Sequence, residues 1–263
     1  MSHASETPIS VARRAGAVFI TLDRPAALNA LAAPLVVALR EELARLRLDT
    51  SLQALVITGA GDKAFSAGAD LKERLTMTLD ETRAFVTTLN LLFDDIAAFP
   101  RPVIAAINGL AVGGGLELAL ACDIRIAATG AELGLPEVRI GIIPGAGGTQ
   151  RLPRLIGIAA AKELILTGRR VNASRAKEIG LVSEIVPRTE LDACAERWVA
   201  EIAQCAPLAM AQAKRAIDGG IDLPLTEGQA VERAHYELVL ASEDRNEGLR
   251  AFAEKRKPAF TGR

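Results

Sequence analysis

Two rhythms of apolar positions alternate along this chain. Residues 9–14 and 17–22 are short runs that predict a strand pair, with Ala15-Gly16 as the turn. After Pro34 the spacing changes. Val36, Leu39, Leu43 and Leu46 recur on one stripe and predict a helix over 34–49, with Pro34 in its first turn. Glu41 and Arg45 are spaced to pair across one turn on its outer face. Residues 54–58 predict a short strand. Thr78 with Glu81 forms a capping box and opens a helix over 78–98, whose buried stripe is Phe85, Leu89, Leu92 and Ile96. A buried strand over 103–107, a helical stretch over 116–122 and a strand over 123–127 follow. The remainder reads as helices over 149–155, 159–166, 173–178, 191–205, 207–217, 226–241 and 245–256, with one strand over 182–186. Strands followed by helices, with few hairpins after the start, predict an α/β layout. Composition shifts at Cys205-Ala206-Pro207. The expected division is a core over 1–205 and a helical assembly region over 206–263, with Val231, Ala234 and Leu238 on an apolar stripe.

Composition sharpens this reading. The chain has 263 residues, 50% hydrophobic and only 3% aromatic, so the core is built from Ala, Leu, Ile and Val. That length accommodates one large domain, or a domain with an appendage. A net charge of −1 gives no support for a nucleic-acid or membrane-surface partner. The three cysteines, Cys122, Cys194 and Cys205, lack metal-ligand or CxxC spacing and read as reduced, mostly buried thiols of an intracellular protein. His3 and His235 cannot form a metal site with them. The polar start MSHASETPIS lacks a signal core, and no apolar run reaches membrane length, so a cytoplasmic protein is expected.

Candidate chemistry concentrates in residues 108–154. Gly113, Gly114 and Gly115 feed directly into an apolar helix whose single charge is Glu117. Glycine lets a backbone turn sharply and approach a ligand. A glycine turn feeding a helix leaves unpaired N–H groups at the positive end of the helix dipole, a place that suits a phosphate or a developing oxyanion. Glu117 is flanked by Leu116, Leu118, Ala119, Leu120 and Ala121. Burial there pushes its pKa towards neutrality, which acid–base catalysis needs. A second acid, Glu137, sits in PEVRIGIIPG. Each acid also has a purely structural reading: Glu117 as a first-turn acid favoured by the dipole, Glu137 as the ion-pair partner of Arg139. Gly59-Ala60-Gly61-Asp62-Lys63-Ala64 matches a dinucleotide-type glycine pattern after a strand. The following Phe65-Ser66-Ala67-Gly68-Ala69-Asp70 has little helix propensity, so the pattern lacks its helix.

The segments AFSAGADLKE, PVIAAINGLAVGGGLELALACDIRIA, PEVRIGIIPGAGGTQRLPR and AFAEKRKPAF resemble the enoyl-CoA hydratase (crotonase) family over nearly the whole chain. The resemblance implies a ClpP-like α/β spiral of ββα units with a C-terminal helical trimerisation region. It also implies a homohexamer of two trimers and an acyl-CoA thioester substrate, with coenzyme A entering as part of the substrate and no cofactor or metal. Carried over motif by motif, it makes Glu117 and Glu137 the catalytic pair. Ala69 and Gly114 become the oxyanion-hole donors. Ala26, Ala27 and Leu28 form the CoA loop, with Ala67, Gly68, Asp70, Lys72, Phe252 and Lys255 as further CoA contacts, the last two from a neighbouring subunit. The family often has a lysine beside the CoA loop, and Ala26 departs from that. The implied reaction is syn hydration of a 2-enoyl-CoA. Its rivals are double-bond isomerisation, needing mainly Glu137, and hydration of a methylglutaconyl-type substrate, because PLAMAQAKRAIDGGIDLPLTEGQA is similar to that branch. A non-enzymatic RNA-binding member is a third reading, against which the near-zero net charge counts. Residues 71–88 are expected to floor the acyl pocket.

Overall fold

The computed structural model describes residues 7–263; His3 and residues 1–6 of the polar N-terminal stretch lie outside them. β1 (Ile9–Arg14) and β2 (Ala17–Leu22) pair antiparallel across Ala15-Gly16. Then come α1 (Ala33–Leu46), β3 (Ala54–Gly59), β4 (Ala64–Ser66), α2 (Leu71–Arg74) and α3 (Leu79–Ala97). Next are β5 (Val103–Ile107), β6 (Leu110–Val112), α4 (Gly114–Ala121), β7 (Ile124–Ala128) and β8 (Glu132–Gly134). The chain continues with α5 (Gly148–Ile156), α6 (Ile158–Thr167), β9 (Arg170–Asn172), α7 (Ala173–Glu178), β10 (Glu184–Val186) and α8 (Leu191–Ile202). It closes with α9 (Pro207–Gly220), α10 (Leu225–Leu240) and α11 (Glu243–Ala253).

Among the described residues ten strands form two sheets, ordered β1-β2-β3-β5-β7-β10 and β4-β6-β8-β9. The pairs β3/β4, β5/β6 and β7/β8 each give their first strand to the large sheet and their second to the small one. A helix or helical turn follows each pair, so the chain winds as a spiral of ββα turns. Along β3 and β5 successive side chains enter different cores. Leu55, Ile57, Val103, Ala105 and Ile107 face one cluster with α1, α3 and α4. Ala54, Val56, Ile104 and Ala106 face another with α8. Strands buried on both faces read as unbroken apolar runs, as these do.

The α1 stripe and the Thr78–Glu81 capping box are as expected. The outer face of α1 is not: Arg45 bonds Glu42 at 2.6 and 2.9 Å rather than Glu41, because i,i+3 is as close on a helix as i,i+4. The small sheet was not anticipated as a sheet. The GAGDKA turn opens no helix; it leads into β4 and is tied down by two buried asparagines. Asn108 Nδ2 donates to the carbonyls of Gly59 (2.9 Å) and Gly61 (3.0 Å), and Asn29 Nδ2 donates to those of Ala60 (3.0 Å) and Ala64 (2.8 Å).

Candidate active site

Two backbone segments meet where β4 and β6 end. Gly68 has φ +84°, and a Cβ there would lie 2.8 Å from the Val112 carbonyl oxygen and 2.9 Å from the Gly114 nitrogen. Only glycine allows the segments to come this close. Ala69 forms a parallel bridge with Leu31 in which Leu31 N–H donates to Gly68 O (2.8 Å) and Asp70 N–H donates to Leu31 O (3.4 Å). That pattern uses the residues on either side of Ala69 and turns its own N–H the other way. Gly113, with φ +56°, donates to Gly134 O at 3.0 Å and leaves Gly114 to open α4. Neither the Ala69 nor the Gly114 N–H has an acceptor among the described residues. A Cβ on Gly114 would lie 3.5 Å from the Ala69 nitrogen, so the free donors are neighbours. A Cβ on Gly115 would overlap Ser66 O, which presses the start of α4 onto β4.

Every residue of α4 is buried. Its C-terminal end is held by buried Arg125, whose guanidinium donates to the carbonyls of Cys122 (2.6 Å), Ala119 (3.3 Å) and Leu181 (3.0 Å). Glu117, one turn into α4, is 3% exposed. Its Oε1 accepts the backbone N–H groups of Ala146 (2.9 Å) and Gly148 (2.8 Å). Burial raises its pKa, while these two bonds and the Arg151 charge pull it down. A Cβ on Gly148 would lie 2.9 Å from Glu117 Oε1, so the loop must be glycine there. Arg151 ties this loop to α3, donating to Ala146 O at 3.2 Å and to Asp94 Oδ1 at 2.7 Å.

Glu137 sits on a short 3-10 turn, Glu137–Ile140, after Pro136. It is 9% exposed, and its Oε2 has no hydrogen-bond partner among the described residues. Burial pushes its pKa up to about 7; a bond from its own backbone N–H opposes this in part, and repulsion from Glu117 adds to it. Its Oε1 faces Gly113, where a Cβ would lie 3.3 Å away. No ion pair forms with Arg139, which donates instead to Thr167 O at 3.2 and 3.1 Å.

Both acids line one cavity of about 800 Å³ together with Ala67, Gly68, Ala69, Gly113 and Gly114. Leu71, Arg74 and Val86 from the expected floor line it, as does Leu89 just beyond. Ile140, Ile142, Ile143 and Ala146 also line it, and had no role assigned from sequence. Of the CoA contacts, Leu28, Ala67 and Gly68 line the cavity, whereas Ala26 and Ala27 lie in the adjoining turn Pro25–Ala27 without reaching it. The Asp70 carboxylate is engaged elsewhere: it caps α2 through the Lys72 and Glu73 N–H groups (3.1 and 3.4 Å) and meets Arg24 at 3.0 Å. Lys72 is exposed outside the cavity lining. Phe252, 86% exposed, and Lys255 are also outside this chain's own cavity. Sequence reasoning missed Ala146 and Gly148 as the donors that orient Glu117. The signal was the glycine cluster in PGAGGTQ. Among the described residues no cluster of three or more His, Cys, Asp or Glu side chains is arranged to hold a metal. Also among them, no helix is long and apolar enough to cross a membrane.

The family model for enoyl-CoA hydratase/isomerase matches residues 12–263. The mouse (Mus musculus) mitochondrial enoyl-CoA hydratase domain-containing protein 2 is 49% identical over 252 residues, covering 94% of this chain and 85% of that protein. The rat (Rattus norvegicus) mitochondrial methylglutaconyl-CoA hydratase is 43% identical over 251 residues, covering 94% of this chain and 80% of that protein. A crystal structure of enoyl-CoA hydratase from Bacillus anthracis superposes with a TM-score of 0.96 at 47% identity, covering 97% of this chain and 100% of the other.

Proposed function

The chain belongs to the enoyl-CoA hydratase/isomerase family, and on that premise we propose that it hydrates a 2-enoyl-CoA thioester, adding water syn across the 2,3 double bond to give the 3-hydroxyacyl-CoA. The observation that carries the reading is the pair of buried carboxyls, Glu117 and Glu137, lining the same cavity as the two acceptor-less N–H groups of Ala69 and Gly114.

The thioester oxygen takes both N–H groups. Glu117, oriented by Ala146 and Gly148, accepts a proton from water as the water oxygen bonds to C3. The C2–C3 π electrons move onto the thioester, and the negative charge that grows on its oxygen is met by donors already in place. Each such donor contributes about 3–4 kcal/mol of transition-state stabilisation. Glu137, whose pKa of about 7 keeps much of it protonated near neutrality, delivers its proton to C2. Water is thereby split between C3 and C2 on the face that carries both acids. An isomerase needs only one acid to move a proton between carbons. Glu117, held by two backbone donors, supports hydration over that reading. The test is the loss of enoyl absorbance with purified protein, in chelator, over a panel of crotonyl-, longer 2-enoyl- and 3-methylglutaconyl-CoA. Turnover of at least one thioester is expected, and none across the panel overturns the reading.

The proposal extends to assembly and location. We take 206–263 as the self-association region of a dimer of trimers. Ile217, Ile221, Leu225 and Tyr236 are exposed in the single chain around a groove of about 750 Å³ between α9 and α10. Phe252 and Lys255 would then meet CoA in a neighbouring subunit, and the protein works in the cytoplasm. Light scattering should give the mass of a hexamer; a stable monomer removes the assembly.

A further inference from the structure

Buried Arg125 takes no direct part in moving protons. Side chains alternate along β7: Ile126 enters the core against α8, and Ala127 enters the core against α4. Arg125 shares the face of Ala127 and reaches the C-terminal end of α4. It is 7% exposed, and a cation buried so far ordinarily takes a carboxylate partner. Among the described residues its guanidinium bonds only to backbone carbonyls, those of Cys122 (2.6 Å), Leu181 (3.0 Å), Ala119 (3.3 Å) and Asp123 (3.3 Å). The neighbouring acid is engaged elsewhere. The Asp123 carboxylate accepts from the Val103 N–H at 2.7 Å and from Lys214 Nζ at 2.8 Å. Asp123 and Lys214 balance each other, and the Arg125 charge is left to the end of the helix.

The two ends of α4 have opposite poles. Unpaired carbonyls make its C-terminal end negative, and unpaired N–H groups make its N-terminal end positive. The Gly114 N–H stands at the positive pole, about 12 Å of helix away from the carbonyls that Arg125 holds. In so short a helix the negative pole works against any negative charge gathered at the other end. The guanidinium offsets that pole, and an arginine stays charged at neutral pH even when buried. Every residue of α4 is buried, so protein rather than water lies between the two ends.

We infer that Arg125 is a positioning residue for the oxyanion donors: it holds α4 by its C-terminal carbonyls, and its charge makes the field at Gly114 favour an enolate over a neutral thioester. The inference rests on the thioester site proposed above but needs no addition of water. A field acts on charge, so it spares the neutral ground state and lowers the energy of the enolate. A unit charge roughly 15 Å away, at an effective dielectric constant of about 20, is worth about 5- to 10-fold.

The probe is acetoacetyl-CoA, whose enolate carries negative charge on the thioester oxygen and absorbs in the near ultraviolet. Titrating that absorbance gives the pKa of the bound thioester. Wild-type protein should lower it from the value in free solution. Arg125→Met should raise it again by roughly 0.7 to 1 pH unit, the logarithm of the factor above. The same variant should lower kcat for a 2-enoyl-CoA about 5- to 10-fold and leave KM nearly unchanged. Arg125→Lys keeps the charge without the four carbonyl bonds and should restore most of the effect. Arg125→Gln keeps a donor without the charge and should behave like Arg125→Met. Circular dichroism and melting identify the folded variants. A wild-type enolate pKa in folded Arg125→Met or Arg125→Gln overturns the inference. So does Arg125→Lys as impaired as Arg125→Met, which would assign the residue to hydrogen bonding alone. A chain that folds only with arginine at this position assigns it to stability and overturns the inference as well. Wild-type protein that leaves the pKa of acetoacetyl-CoA unaltered, bound or not, does the same. An enolate pKa that depends on Arg125, with no 2-enoyl-CoA hydrated, would sink the hydratase reading and leave this one standing.

Discussion

The walls that carry Glu117 and Glu137 solve opposite problems with the same side chain. Glu117 stands on a fully buried helix, and one of its oxygens is clamped by two backbone N–H groups. Burial lifts its pKa above the usual carboxylate range, and the two bonds oppose part of that rise while they orient the carboxylate. Glu137 stands on a single 3-10 turn, followed by exposed Ile140, Ile142 and Ile143. Its Oε2 has no donor, and burial is reinforced by the neighbouring acid. Its own backbone N–H opposes only part of that rise, and the pKa of about 7 leaves the carboxyl partly protonated near neutral pH. The two buried acids differ in their donors: neighbouring backbone N–H groups hold Glu117, whereas only its own backbone N–H meets Glu137.

The largest effect is expected from removing the two N–H donors that share the cavity with both acids. Ala69→Pro and Gly114→Pro each delete an N–H donor, and hydration should fall about 10²–10³-fold. Circular dichroism and melting control for the fold. Near-normal turnover in a folded variant takes that residue out of the oxyanion site.

A smaller change sharpens the asymmetry. Gly148→Ala places a Cβ 2.9 Å from Glu117 Oε1 and pushes the clamp off the carboxylate. We expect kcat to drop about 10-fold, within the contribution of an oriented base. KM should move less, because Gly148 is outside the cavity lining. Equal changes in kcat and KM would mean that the loop shapes the cavity instead of the base.

The smallest effect is in the pH profile. Glu137 must be protonated to act, so hydration should decline as pH rises through about 7. Glu117 must be ionised, so the rate should also fall on the acid side. The stability sign is independent of mechanism. The folded pKa of Glu137 is raised from 4.5, so its contribution to stability is complete below 4.5 and is lost as pH rises to about 7. Glu137→Gln should flatten the melting temperature over that window; an unchanged slope contradicts the assignment.

The two walls also differed in how far they could be read from the sequence. Glu117 was legible as a buried acid because the helix around it is apolar, while its first-turn structural reading stood beside the catalytic one. The stripes of α1 and α3 were legible because fourteen and nineteen residues show a period clearly. The strands β4, β6, β8 and β9 have three residues each, too few for alternation to show, so the sheet behind Ala69 and Gly114 was invisible. Glu137 was ambiguous with Arg139 nearby in sequence. The turn sends the two side chains apart, and periodicity does not encode a 3-10 turn. The donors on Glu117 are backbone atoms of Ala146 and Gly148, and side-chain chemistry leaves no trace of them.

The central claim is that Glu117 is the base for water and Glu137 the acid for C2. It is tested most directly by deuterium incorporation at the α-carbon of a saturated acyl-CoA in heavy water, read by mass spectrometry. Glu117→Gln should lose hydration, by at least the ~10²–10⁴-fold of an acid–base group, yet retain measurable exchange because Glu137 still reaches C2. Glu137→Gln should lose hydration and exchange together. Exchange that survives in Glu137→Gln and vanishes in Glu117→Gln would reverse the two roles, and unaltered hydration in both variants would place the catalytic acids elsewhere.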